Sequence, residues 1–224
     1  MTAQDTVPRT LGTVTGGRAR TGPGYGDGGR GAVREEPAEP DLPPGHGVTV
    51  ARLPGGAVFS LRCVHPTADA PLVHSWMNDP DVARFWQLAH PPGQIEAYLR
   101  QQLASSYSTP FVGCLDGEPS SYWELYRADL APFATLYTAR RHDAGLRLLI
   151  GPHHSRGRGL GARLLRAVSD WQLSLDPYAS RVVAEPDVRD VRGVRAHERA
   201  GFRKLRELDL PGKRAAFMAR ERPA

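Results

Sequence analysis

The sequence predicts an α+β (or α/β) domain in which a mixed central β-sheet is flanked by helices. Three observations predict it. Runs of apolar residues at helical spacing are inserted between short strand-like runs, the arrangement of a sheet covered by helices. Late in the chain, a buried apolar run enters a glycine-rich loop that opens an amphipathic helix. The composition, 40% hydrophobic and 24% charged over 224 residues, sits near the globular average and excludes wholesale disorder.

Residues 1–45 read as a tail outside the fold. Nine glycines fall between Leu11 and Gly31, and Pro37, Pro40, Pro43 and Pro44 follow with few large apolar groups. Such a segment buries too little surface to offset its ordering entropy. Residues 46–224 form the domain. Val48–Leu53 and Ala57–Val64 read as strands around the turn Pro54-Gly55-Gly56. Leu72–Met77, Val82–Leu88 and Ile95–Ala104 carry helical spacing, separated by Asp79-Pro80 and Pro91-Pro92-Gly93. Phe111–Leu115 and Ser120–Arg127 flank Asp116-Gly117, a hairpin signal. Leu146–Ile150 is a short buried strand, and Leu160–Leu175 a helix. Strand Arg181–Glu185, helix Val191–Ala200 and strands Phe202–Leu208 and Ala215–Ala219 complete the order.

Charge and composition exclude several function classes. No apolar run reaches the roughly eighteen residues of a membrane span, and the N-terminus lacks the apolar core of a secretory signal. Cys63 and Cys114 stand far apart without metal-ligand spacing, so a disulfide scaffold and a structural zinc site are not expected. Both cysteines fall in strands and read as small buried groups, and a cytoplasmic location fits. The net charge of +5 suits an anionic partner. No helix-turn-helix, zinc finger or aromatic RNA-binding pattern accompanies the arginines, so nucleic acid is not the expected partner. His153 and His154 have no third ligand at metal spacing, and no metal is expected.

The most informative segment runs from Leu148 through Ile150 and Arg156-Gly157-Arg158-Gly159-Leu160-Gly161. Glycines let the backbone approach a ligand, and free amides at a helix N-terminus attract phosphate oxygens. No Gly-Lys-Ser/Thr follows, which excludes a Walker A loop, and the pattern is not the dinucleotide G-x-G-x-x-G. The alternative is a plain glycine-rich turn with surface arginines. The segment fits Arg-x-x-Gly-x-Gly, however, and Ala196-His197-Glu198-Arg199-Ala200-Gly201-Phe202 closes a later helix before another strand. In loop and order of elements this resembles the GCN5-related N-acetyltransferases (GNAT).

A narrower likeness lies upstream. His74-Ser75-Trp76-Met77-Asn78-Asp79-Pro80, Phe85-Trp86, Tyr107-Ser108-Thr109-Pro110, Tyr122-Trp123-Glu124-Leu125-Tyr126, Gly145-Leu146 and Glu185-Pro186-Asp187 are similar to the siderophore-biosynthesis N-acyltransferases. That resemblance implies transfer from acetyl-CoA, another acyl-CoA or an acyl carrier protein to a small-molecule amine or N-hydroxyamine such as lysine, N6-hydroxylysine or hydroxycadaverine. It implies donor binding at Leu148, Ile150 and Arg156 to Gly161. It also implies acceptor binding near Trp76, Asn78, Tyr122, Glu124 and Tyr126. Aromatics at helical spacing are more often core, the reading favoured for Trp76 and Trp86, and Asn78 could simply end a helix.

Two departures matter. Arg147 stands where the family usually carries a histidine, and an arginine cannot deprotonate an amine. Glu185 replaces an aspartate and keeps a carboxylate able to orient or deprotonate the acceptor. His197 stands where many GNAT proteins place a tyrosine that protonates the departing thiolate. It is either that donor or a partly exposed helix histidine.

Overall fold

A computed structural model describes residues 47–223; the tail expected over 1–45 lies outside the described residues. The chain runs β1 (Val48–Arg52), β2 (Val58–Cys63), α1 (Pro66–Met77), α2 (Pro80–Trp86), α3 (Pro92–Leu103), β3 (Ser108–Leu115), β4 (Glu118–Arg127), β5 (Ala144–Ile150), α4 (Leu160–Leu175), β6 (Arg181–Ala184), α5 (Val191–Ala200), β7 (Arg203–Leu210) and β8 (Lys213–Glu221). Short 3-10 turns occupy Ala128–Leu130, Pro132–Leu136 and His153–Ser155. All eight strands form one mixed sheet in the order β1-β2-β3-β4-β5-β6-β8-β7.

Alternation along the strands divides the core into layers. Trp123 and Leu125 of β4, with Leu146 of β5, face α4, where Leu160, Leu164, Leu165 and Val168 form the apolar stripe. Tyr122, Val112 and Leu149 face the opposite side and pack under α1 and α3 through Val73, Met77, Ile95 and Leu99. A third cluster on that side joins Tyr126, Tyr137, Val183 and Phe217. Burying these aliphatic and aromatic side chains is worth about 1.5–3 kcal/mol each before entropy is counted.

Caps set the helix ends. Asp79 accepts from the Asp81 amide at the start of α2, and Asp190 from the Gly193 amide at the start of α5. Gly201, at φ 98°, ends α5 in the left-handed conformation that glycine adopts without strain. The two cysteines part company: Cys114 is buried, whereas Cys63, the last residue of β2, is exposed. The expectation of two buried thiols fails at Cys63 because its strand ends there.

The feature that makes room for a ligand is a splay in the sheet. β4 and β5 stay paired along their length, from Arg127↔Ala144 to Ser121↔Ile150. β5 and β6 are parallel and pair only at Ala144↔Val182 and Gly145↔Val183. Beyond Gly145 the two strands diverge, and a cleft of about 600 Å³ opens between them. Among the described residues no helix is long and apolar enough to cross a membrane.

Candidate active site

The cleft is walled by Leu146–Ile150 of β5, the loop and first turn of α4, Glu185–Asp187 after β6, the inner face of α5, Phe85 and Trp86 of α2, and Lys213 of β8. The Gly151 amide donates to the Ser120 carbonyl on β4. Antiparallel alternation therefore turns the amides of Leu148 and Ile150 away from β4, toward the open edge. Among the described residues neither amide is paired outside the sheet, and both residues line the cleft.

The loop before α4 is built to admit phosphate. Gly157 and Gly159 sit at φ 75° and 74°, and a Cβ added at either would meet nothing within 4 Å. Gly159 caps α4 without any side-chain acceptor. The amides of Leu160, Gly161 and Ala162 in the first turn thus have no acceptor inside the helix, and the helix dipole adds partial positive charge there. The chain's own residues fit a pyrophosphate at this point. Arg158 and Arg163 are exposed beside it.

Arg156 behaves differently from its neighbours. Its guanidinium turns inward, donating to the carbonyls of Ile150 (3.0 Å) and Gly151 and to Asp79 Oδ2 (2.9 Å). Its amide is bonded to the His153 carbonyl. Arg156 staples the loop to β5 and to the start of α2, and the phosphate-facing donors begin at Gly157.

The end of the cleft under Trp86 is a buried charge cluster. Arg147 donates from Nη1 to Glu124 Oε2 (2.9 Å), places Nε 3.7 Å from Glu185 Oε1, and stacks over the Trp86 ring at 4.5 Å. The hydroxyls of Tyr98 and Tyr122 both donate to Glu124 Oε1. The Tyr126 hydroxyl donates to Glu185 Oε2. Tyr126 reaches Glu185 by crossing over Gly145, where any Cβ would stand 2.1 Å from its ring. Lys213 donates to the Glu185 carbonyl (2.6 Å), and its Nζ lies 3.7 Å from Glu185 Oε1.

Electrostatics follow from that packing. Burial opposes charge on Arg147, yet Glu124 and then Glu185 hold its guanidinium protonated, above its ordinary range. Burial lowers Lys213 despite Glu185 beside it. Burial, reinforced by Glu185, pushes the Tyr126 phenol well above its usual value, so it stays a donor. The cluster contains two carboxylates and two cations and is internally neutral.

His197, in α5, is buried and not partly exposed. Its Nδ1 lies 2.8 Å from the Gly193 carbonyl, which can only accept, so Nδ1 carries the proton. Its Nε2 is buried with no partner. Burial lowers its pKa below the usual histidine value, against the opposing pull of the Gly193 bond, Glu185 and Asp190.

The structure brings Arg147, Glu185, His197, Leu148, Ile150, Arg156, Gly157, Gly159, Leu160 and Gly161 to the cleft and leaves Arg158, of the loop candidates, exposed and outside the lining. It sets the five upstream acceptor candidates behind the wall. Trp76 packs against Gly151, where a Cβ would meet its ring at 2.1 Å. Asn78 caps α1 and donates to the His74 and His90 carbonyls. Tyr122, Glu124 and Tyr126 do share one face, as alternation required, but they touch Arg147 and Glu185 rather than line the cleft. Sequence reasoning missed Tyr98 and Lys213. Tyr98 left no local signal; Lys213, one of two lysines in an arginine-rich chain and next to the Pro211-Gly212 turn, was the available one.

Residues 65–210 match the acetyltransferase (GNAT) domain family. The chain belongs to the GNAT family. Among GNAT relatives, it is 36% identical over 168 residues to the N(6)-hydroxylysine O-acetyltransferase of Escherichia coli, covering 74% of this chain and 52% of that protein. It is 35% identical over 180 residues to the lysine N-acyltransferase MbtK of Mycolicibacterium paratuberculosis, covering 78% and 81%. The chain spans about half the length of the E. coli relative. Among solved structures, an uncharacterized protein of Bacillus halodurans superposes at a TM-score of 0.71 with 32% identity, over 79% of this chain and 89% of that one. The aminoglycoside acetyltransferase AAC(6')-Ib in complex with coenzyme A gives 0.66 with 25% identity, over 73% and 95%.

Proposed function

We propose that the protein is an N-acyltransferase of hydroxamate siderophore assembly. It moves an acyl group from an acyl-CoA to the side-chain amine or N-hydroxyamine of a lysine-type acceptor. The observation that carries this reading is the junction of two half-sites in one cleft. A glycine loop with free α4 amides stands at one end, and an acceptor cluster under Trp86 stands at the other, with the unshared β5 amides between. Of the two relatives above, one is named as an N-acyltransferase of lysine and the other as an O-acetyltransferase of N(6)-hydroxylysine, so both names specify acyl transfer to a lysine-type acceptor.

In this mechanism the amides of Gly157–Ala162 hold the pyrophosphate of the donor and fix its depth in the cleft. The Leu148 and Ile150 amides point toward the carbonyl oxygen and stabilise the charge that develops on it. Arg147, Trp86 and Glu185 shape the acceptor pocket. Attack by the acceptor nitrogen is direct, since no cysteine or activated serine lines the cleft. The neutral cluster favours an acceptor nitrogen that arrives uncharged, as an N-hydroxyamine does. An acyl carrier protein could present the same thioester, with the exposed arginines Arg158 and Arg163 flanking the mouth.

The test is thiol release from acetyl-, succinyl- and longer acyl-CoAs with lysine, N6-hydroxylysine, hydroxycadaverine and kanamycin as acceptors. Turnover of the lysine-type acceptors is expected. Turnover of kanamycin alone, or coenzyme A binding without turnover of any amine, would sink the assignment.

A further inference from the structure

Of the three buried side-chain atoms without a partner among the described residues, Gln172 Oε1, His197 Nε2 and Arg220 Nη1, the histidine nitrogen belongs to a residue that lines the cleft. A buried acceptor that has given up water and gained nothing in return carries an uncompensated desolvation cost, and such an atom calls for an explanation. The two carboxylates nearby do not share this property. Glu124 is covered by two tyrosine hydroxyls and Arg147, and Glu185 by the Tyr126 hydroxyl with two cations 3.7 Å away. Glu185 Oε1 also lacks a donor, but two cations 3.7 Å away compensate its charge; His197 Nε2 is the buried acceptor of the cleft with no donor.

Resting on the acyl-transfer reading above, we propose that His197 is the proton shuttle of the reaction and that Glu185 is a positioning residue. The acceptor nitrogen forms its bond to the thioester carbonyl carbon and passes its N–H proton to Nε2. The tetrahedral adduct then collapses, and the C–S bond breaks with its electron pair staying on sulfur. The imidazolium returns the proton to that thiolate, which leaves as a thiol. His197 is neutral again, and the product is the amide or hydroxamate. Because Nδ1–H is tied to the Gly193 carbonyl, Nε2 has no proton to give until the acceptor supplies one. The expected role of thiolate donor therefore becomes the second half of a cycle that begins with His197 as base.

The surroundings suit that cycle. The charged groups facing the ring are Glu185 after β6, Asp190 at the start of its own helix and Lys213 from β8. α4 presents Gly161 against Ala196 here, with no charge. Phe202 meets the ring edge-on at 5.3 Å and holds its plane. Burial keeps the ring neutral at neutral pH, ready to accept, and makes the imidazolium a ready acid once formed.

The test combines two measurements. Nitrogen-15 NMR of the wild-type imidazole at pH 7 should show Nδ1 protonated and Nε2 bare; a protonated Nε2 would overturn the proposal without any variant. The pH profile of kcat/KM, with whichever amine is turned over, should show an acid limb below the usual histidine value of about 6.5. His197→Gln should lose at least about 100-fold in kcat and lose that limb, with coenzyme A affinity by calorimetry unchanged. Imidazole should restore part of the rate to His197→Ala. Glu185→Gln should keep the limb. A limb that survives in His197→Gln and vanishes in Glu185→Gln overturns the shuttle while leaving the acyltransferase reading intact. Absence of turnover with any amine overturns both.

Discussion

Replacing Arg147 by methionine tests the buried charge cluster of the cleft. The substitution keeps the apolar stem over Trp86 but leaves Glu124, whose side chain is 4% exposed, without its cation. Breaking a buried pair by deleting one partner costs about 3–5 kcal/mol. Arg147 keeps 29% of its side chain open to the cleft, so water screens part of the loss and the lower end, about 3 kcal/mol, applies. Glu185 suffers less because Lys213 stays beside it. At a urea slope of about 2 kcal/mol/M, the unfolding midpoint should fall by about 1.5 M with an unchanged slope. Glu124→Gln in the same chain removes the stranded charge, and the double variant should recover most of the loss, with a coupling of about 2 kcal/mol. The assay is equilibrium urea unfolding of wild type, both single variants and the double. Equal midpoints for Arg147→Met and the double variant would refute a stabilising ion pair between Arg147 and Glu124.

Two further outcomes are expected. Gly159→Ala forces a side chain into left-handed backbone at the head of α4, costing about 1–2 kcal/mol. Because the new Cβ points into open space, coenzyme A affinity by calorimetry should drop about tenfold, a loss of about 1.4 kcal/mol; unaltered affinity would contradict phosphate binding at this loop. Asp187 is held below the usual carboxylate range by its hydrogen bonds from Arg189, against burial. Its contribution to stability is present above the unfolded value of about 3.9 and disappears as pH falls through the lower folded value. Asp187→Asn should flatten the acid side of a stability–pH curve read by urea midpoints, and parallel curves would speak against it.

Legibility in the sequence followed the range of the interactions. The limits of α4 and α5 stand where glycines flank an apolar period, because Gly159 and Gly201 are local signals. β3 begins at Ser108 and β7 runs to Leu210, beyond their apolar stretches, since ladder hydrogen bonds extend strands through polar residues. The 3-10 turns between Ala128 and Leu136 have no period long enough to see. At the site, the loop, Glu185 and His197 could be read because family motifs mark them. Arg156 and Arg158 look alike in a string of letters; the carbonyls of Ile150 and Gly151, reached only in three dimensions, separate them. Tyr98 and Glu124 meet across 26 residues with no spacing to announce it. Burial and the missing partner of His197 Nε2 are facts of tertiary packing alone.

The short α2 helix is moored at both ends to other parts of the site. Asp79 holds its start to Arg156 beside the donor loop, and Gln87, just past its end, donates to the Gly212 carbonyl in the β7–β8 turn at 2.6 Å. Between these moorings lie seven residues, of which Phe85 and Trp86 among others furnish one wall of the cleft. The donor half of the cleft takes no part in that wall. On the acyl-transfer reading proposed above, such an arrangement lets the choice of amine change by exchange of one panel while its anchors stay in place. That makes the stretch from Pro80 to Trp86 a natural cassette for redirecting selectivity, in the laboratory or over evolutionary time.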